Sequence, residues 1–204
     1  MKYAWPWELS RAGVLNMNKR NISYIGRYNP RKHYKRVDDK LITKQLALAN
    51  GIAVPDLIGV VKEQHDIEQI PGMVLGRSGF VIKPAKGSGG KGILVITRVE
   101  NGRYYKANGN EVTPNEIYRH VSNTLSGLFS LGGKPDVALI EGLIEFDPIF
   151  NGVSYEGVPD IRLIVFKGFP VMGMLRCSTA ASDGKANLHQ GAVGIGLDIA
   201  TGRS

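Results

Sequence analysis

The chain has 204 residues, enough for one sizeable core or two small subdomains, and its 43% hydrophobic and 22% charged content is that of a globular protein, not a disordered one. A single cysteine, Cys177, excludes intrachain disulfides and cysteine-built metal sites; no apolar run approaches bilayer length, and MKYAWPWELSRAGVLNMNKR lacks the apolar core of a leader, so the cytoplasm is the expected compartment. The net charge of +8 admits nucleic acid, anionic lipid or a phosphorylated substrate without choosing among them.

Residues 1–37 read as an N-terminal extension: a short helix around Trp7 to Met17, then a polar, basic connector. Its densest basic run, Arg27 to Arg36, interleaves tyrosines with cations in the manner of a single-strand binder, but Asn29-Pro30 also marks an extended entry segment packed on the next domain. Asp38 or Asp39 caps a helix, DKLITKQLALANG, with Ile42, Leu46 and Ala49 on one face, Lys40 and Lys44 on the other, and Gly51 as its stop. An extended segment follows from Ile52 to Val61, then a short helix over Gln64 to Gln69 that Pro71-Gly72 breaks.

The centre of the chain is GFVIKPAKGSGGKGILVITRV, Gly79 to Val99: a strand from Phe80 ending in Lys83-Pro84, a loop with four glycines, and a β-branched strand from Ile93. Glycines bring backbone N–H groups close to an anion, and Lys83, Lys86 and Lys91 supply charge that a polyphosphate neutralises. A Walker loop requires Ser or Thr after Gly-Lys and then a helix, whereas Gly90-Lys91 leads into Gly92 and a strand. The spacing of Gly87, Gly89 and Gly92 fits the dinucleotide fingerprint, but the helix it needs is absent; a kinase loop is excluded by the missing His-Arg-Asp and Asp-Phe-Gly sets.

Asn101-Gly102 then predicts a hairpin into Arg103 to Ala107. Thr113-Pro114-Asn115-Glu116 is a capping box opening a helix with Ile117, Val121, Leu125 and Leu128 as its stripe, ending near Gly132-Gly133. Val137 to Ile144 reads as a buried strand, and Ile161 to Phe166 pairs with Val171 to Leu175 through Lys167 to Pro170. Thr179 to Gly196 reads as a long Gly/Ala/Asn-rich loop, of the length that means function or disorder, and the fold class is mixed α+β.

Several of these stretches stand in an order that resembles the ATP-grasp superfamily, and within it the α-L-glutamate ligase-like group related to the ribosomal-protein S6 modification enzyme. They are Asp39-Lys40 heading a helix, Lys83 before the glycine loop, Ile140-Glu141-Gly142-Leu143-Ile144, Asp160-Ile161-Arg162, and Asn187-Leu188-His189-Gln190-Gly191. The resemblance implies two α+β subdomains holding nucleotide between them, here residues 38–136 and a second, incomplete one over 137–204.

It implies a nucleotide site of Lys40, Lys83, Glu141, Leu143 and Asp160 beneath a lid of Gly87, Ser88, Gly89, Gly90 and Lys91, with Arg162, Arg176, Lys185 and Asn187 at the phosphate to be transferred. The implied reaction is an ATP-dependent carboxylate-amine ligation through an acyl phosphate, joining a glutamate-like amino acid to a carboxylate or peptide acceptor. Magnesium ligands are expected beyond Ser204, with Glu156, Asp160 and Asp198 as the carboxylates to test if this chain turns over by itself. Nucleic acid and membrane are not expected partners. The alternative is a non-catalytic nucleotide- or RNA-binding domain on the same scaffold.

Overall fold

The computed structural model describes residues 3–145, 147–155, 157, 159–182 and 184–204, so Glu156 lies outside the described residues. The chain forms two compact units, Met1–Val54 and Pro55–Ser204.

The first unit is helical. It contains α1 (Pro6–Arg11), α2 (Met17–Lys19), a π-helical turn over Arg20–Gly26, a 3-10 turn at Arg31–His33, α3 (Lys35–Asp38) and α4 (Lys40–Ala49). The expected polar connector is therefore mostly helical. Asp39 caps α4 by accepting from the Leu41 and Ile42 N–H groups at 3.0 and 3.3 Å, and Gly51 turns the chain with φ +69°. The face read as apolar is not the covered one: Leu46 and Ala49 are exposed, and Lys44, expected to face solvent, is buried. Helical spacing marks which side chains share a face, but not which face tertiary packing covers.

The second unit is built on a fully antiparallel four-stranded sheet in the order β1–β7–β2–β3, from β1 (Leu57–Val61), β2 (Phe80–Pro84), β3 (Leu94–Ile96) and β7 (Ala138–Gly142). Phe80, Ile82 and Pro84 alternate onto one face of β2 and are buried, which is the period of a strand with one face on a core. Between β1 and β2 the 3-10 turn Gln64–Gln69 runs into α5 (Ile70–Met73); Pro71 opens this helical turn instead of ending one, because its missing N–H costs nothing in the first turn.

The core faces α6 (Pro114–Leu125). Thr113 Oγ accepts from the Glu116 N–H at 3.2 Å while Glu116 accepts from the Thr113 N–H at 2.8 Å, the reciprocal box read from the sequence. Ile117, Val121, Thr124 and Leu125 are buried against Phe80, Ile82, Ile96 and Ile140. Leu128 is exposed, since the helix stops at Leu125 and Gly127 turns the chain with φ +88°.

The strand expected from Ile93 to Val99 is two strands. Leu94–Ile96 pairs with β2, whereas β4 (Arg98–Glu100) joins β5 (Arg103–Tyr105) and β6 (Glu111–Val112) in a small sheet; Thr97 is the switch, its N–H reaching the Tyr105 carbonyl at 2.9 Å. Asn101 and Gly102 make the β4–β5 turn with positive φ at both residues, the geometry expected of Asn-Gly.

A third sheet, β10–β9–β8, contains β8 (Asp160–Phe166), β9 (Phe169–Cys177) and β10 (Val193–Leu197). The β8–β9 turn is only Lys167-Gly168, so Phe169 and Pro170 belong to the strand; Pro170 is tolerated because β10 pairs only with Gly173 to Cys177. The long loop expected over Thr179 to Gly196 thus ends in a strand. Val193, Ile195 and Leu197 alternate with Gly194 and Gly196, and those glycines disguised the pattern.

Candidate functional site

The glycine loop stands between β2 and β3 on two anchored ends. At its start, the Asp136 carboxylate, 4% exposed, accepts from the Lys86 N–H at 2.9 Å, the Ser130 hydroxyl at 2.5 Å and the Val137 N–H at 2.8 Å. Gly87 bridges to Ser130, and the Lys86 ammonium donates to the Pro135 carbonyl at 3.1 Å. Lys86, expected to offer charge to a polyphosphate, is thus turned toward the loop that leads into β7.

At its end, the Gly92 carbonyl lies 3.0 Å from Nε2 of His120 on α6, whose ring stacks on Phe129 with centroids 5.4 Å apart. Gly92 has φ +73°, and a Cβ there would come within 2.5 Å of the Phe129 ring, so both backbone and space demand glycine. Burial holds the His120 imidazole below its usual range, with the Gly92 carbonyl pulling the other way.

Between these ends the tip is freer. Ser88, Gly89 and Lys91 are exposed, and Gly89 and Gly90 take φ values of +62° and +76°. The tip meets the segment after β9: the Asn187 amide donates to the Gly89 carbonyl at 3.2 Å and to Gln190 Oε1 at 3.1 Å. That segment is braced from within. Thr179 and Ser182 exchange backbone and hydroxyl bonds of 2.9 to 3.2 Å, the Lys185 N–H reaches the Ser182 carbonyl at 3.1 Å, and the Thr179 hydroxyl reaches the Gly191 carbonyl at 2.8 Å.

Between the loop and the third sheet opens a cleft of about 590 Å³, lined by Gly90, Leu94, Val95, Lys106, Asn108, Asp160, Arg176, Lys185 and Asn187 among others. Asp160 and Arg176 are cross-strand partners on β8 and β9, and the guanidinium grips the carboxylate with two hydrogen bonds. The Arg176 hydrogen bonds hold Asp160 below the usual carboxylate range, and the same bonds raise Arg176. Lysines 106 and 185 add positive charge, so the cleft suits a polyanion.

The remaining expected residues are distributed unevenly. Lys83 and Glu141 form an ion pair on the face of the first sheet opposite the α6 core, where Lys83 is paired with Leu139, two residues before Glu141; Glu141 is nearly closed to solvent. Neither lines the 590 Å³ cleft. Arg162 stands on the same face of β8 as Asp160, its guanidinium 3.9 Å from that carboxylate, but is half exposed and outside the cleft lining. Leu143 is half-buried just past the end of β7, and Lys40 opens α4 in the first unit.

Asp136, His120, Phe129 and Lys106 went unnoticed in the sequence. The available signal was slight: a single acid immediately before a buried strand, and a half-buried histidine at the flank of the apolar stripe of α6.

Among the described residues no group of three or more His, Cys, Asp or Glu is placed to hold a metal ion. Asp160 is the one carboxylate lining the cleft among them, and it is taken up by Arg176; Asp198 instead closes a turn, accepting from Thr201 Oγ at 2.7 Å and the Thr201 N–H at 2.8 Å. These residues do not fit a magnesium site. A nucleotide fits better, given the positive-φ glycine tip, the apolar wall of Leu94 and Val95, and the cations beside it.

No curated protein matches the chain. The sequence model of the sugar-transfer associated ATP-grasp family matches residues 19–204, in agreement with the α+β antiparallel architecture and the glycine loop over a cationic cleft. The chain belongs to the sugar-transfer associated ATP-grasp family.

Proposed function

We propose that the protein is an ATP-dependent ligase that activates a carboxylate as an acyl phosphate and passes it to an amine, in the manner of the α-L-glutamate ligase-like group. ATP-grasp membership supports ligase-type use of ATP in general. The observation that carries the finer reading is the meeting of the glycine tip with Asn187 beside the Asp160–Arg176 pair and Lys185, since a phosphoryl group seated there has a glycine-lined wall and an amide on one side and cations on the other.

In this reading the subdomains are residues 38–136 and 137–204. Lys83, beside the cleft and not in its lining, carries the inner phosphates, Glu141 and Leu143 receive the base at the end of β7, and Gly87 to Lys91 close over the outer phosphates and exclude water. Asp160 orients Arg176 toward the transferred group, with Lys185, Asn187 and Arg162 supporting the carboxylate to be activated. The family's association with sugar transfer adds acidic and amino sugars to amino acids and peptides as acceptors to be assayed.

The test uses variants outside the apolar core, at exposed Lys185 and Lys62 and half-buried Asn187. Lys185→Ala and Asn187→Ala are expected to weaken ATP about tenfold each by calorimetry, the scale of a charge-assisted contact, with Lys62→Ala unchanged. Equal ATP affinity in all three removes the site, and ADP release that ignores added carboxylates removes the ligase chemistry.

A further inference from the structure

The net charge of this protein comes from one end of the sequence. Residues 1–37 hold nine Lys and Arg against a single Glu, a net +8, while residues 38–204 hold 17 of each sign. The same end has almost no interior: from residue 3 to 38 no side chain is buried, and only Ile25 and Tyr34 are partly covered. Trp5 and Trp7, Leu9, Leu15, Met17 and Ile22 are all exposed, the two indoles stacked parallel with centroids 5.0 Å apart. Helices as short as α1 and α2 do not hold by backbone bonding alone; they need a surface against which to lay their apolar residues.

We propose that residues 3–37 form a docking surface for an anionic lipid bilayer, lying in the interface without crossing it. Positive charge draws the segment to acidic headgroups, the tryptophans suit the headgroup boundary, and the aliphatic side chains enter the outer acyl layer. Nucleic acid accounts for less of what is exposed: bases stack on aromatic rings and phosphates take the cations, but Leu9, Leu15, Met17 and Ile22 find no partner there. No helix among the described residues is long and apolar enough to cross a membrane. The contact is with the surface, a departure from the expectation of no membrane partner, and it is independent of the ligase reading.

The chain carries its own probe, because Trp5 and Trp7 are its only two tryptophans. With the 204-residue chain, vesicles of phosphatidylcholine containing phosphatidylglycerol should shift tryptophan emission to the blue and carry the protein upward in flotation, with apparent affinity at least about tenfold above that for phosphatidylcholine alone. Replacing Arg31, Lys32, Lys35 and Arg36 by Gln should remove most of that preference, and Trp5→Ser with Trp7→Ser should abolish the binding that survives raised salt. Absence of flotation with anionic vesicles at low salt overturns the proposal. So does flotation without a blue shift, or displacement of the vesicles by a single-stranded oligonucleotide that binds more tightly and leaves the emission shifted.

Discussion

In the four-stranded sheet, Phe80, Ile82, Ile96 and Ile140 are closed off from solvent under α6, whereas in the β8–β9–β10 sheet Ile161, Leu163, Val165, Phe169 and Val171 are all more than half exposed. The two sheets are similarly rich in β-branched and apolar residues, so composition does not separate them. What differs is the amphipathic helix packed on the first. The candidate site joins the two. Its glycine loop is rooted in the packed sheet through Asp136 and His120, and its ion pair stands at one end of the exposed sheet, where two hydrogen bonds fix Arg176 with little help from a core. A rooted loop facing a locally braced wall is the combination expected where a lid opens and the groups beneath it hold still.

Removing one apolar side chain from each sheet should separate the two most strongly. Ile82→Ala should cost about 2–5 kcal/mol in urea unfolding, because a fully buried isoleucine leaves a cavity, while Leu163→Ala should cost less than about 1 kcal/mol. Similar losses would mean that the second sheet is as well packed as the first.

Carboxylates give a smaller contrast. Asp136→Ala strips the acceptor from the Lys86 and Val137 N–H groups in a buried place and should cost about 1–3 kcal/mol, with faster amide exchange at Lys86 and Val137. Asp160→Ala, in a carboxylate 40% exposed, should change stability by less than about 1 kcal/mol and act mainly on nucleotide affinity. Unchanged exchange at Lys86 in the Asp136 variant would show that the loop is held by something else.

The smallest effect is in pH. The folded pKa of His120 is lowered below 6.5, so the unfolded chain binds the proton more readily, and its contribution to stability, present above pH 6.5, is lost as pH falls toward the lowered value. Asp160, lowered below 3.8 by Arg176, contributes above that value and loses its contribution as pH falls further. Stability followed against pH should show the first step vanish in His120→Gln and persist in Asp160→Asn; a first step retained in His120→Gln assigns it elsewhere.

Much of the scaffold was legible without coordinates because its signals are local. The Thr113 to Glu116 box places the start of α6 by bonds between residues three apart, and Asn101-Gly102 and Lys167-Gly168 turn their hairpins within the turn itself. The glycine loop is marked by its own backbone, which at Gly89, Gly90 and Gly92 takes conformations that other residues rarely adopt.

What tertiary structure decided are the matters settled between distant residues. The run from Ile93 to Val99 looks like one strand, yet Leu94 to Ile96 belongs with Phe80 to Ile82 and Arg98 to Glu100 with Arg103 to Tyr105, because alternation states that a strand exists and is silent about its partner. Lys44 and Lys86 read as free cations and are otherwise employed, one buried and one turned to Pro135. Asp136 and His120 carry no motif: one lies 50 positions from Lys86 and the other 28 from Gly92, and the hydrogen bonds that make them supports of the loop exist only once α6 and β7 have packed against β2.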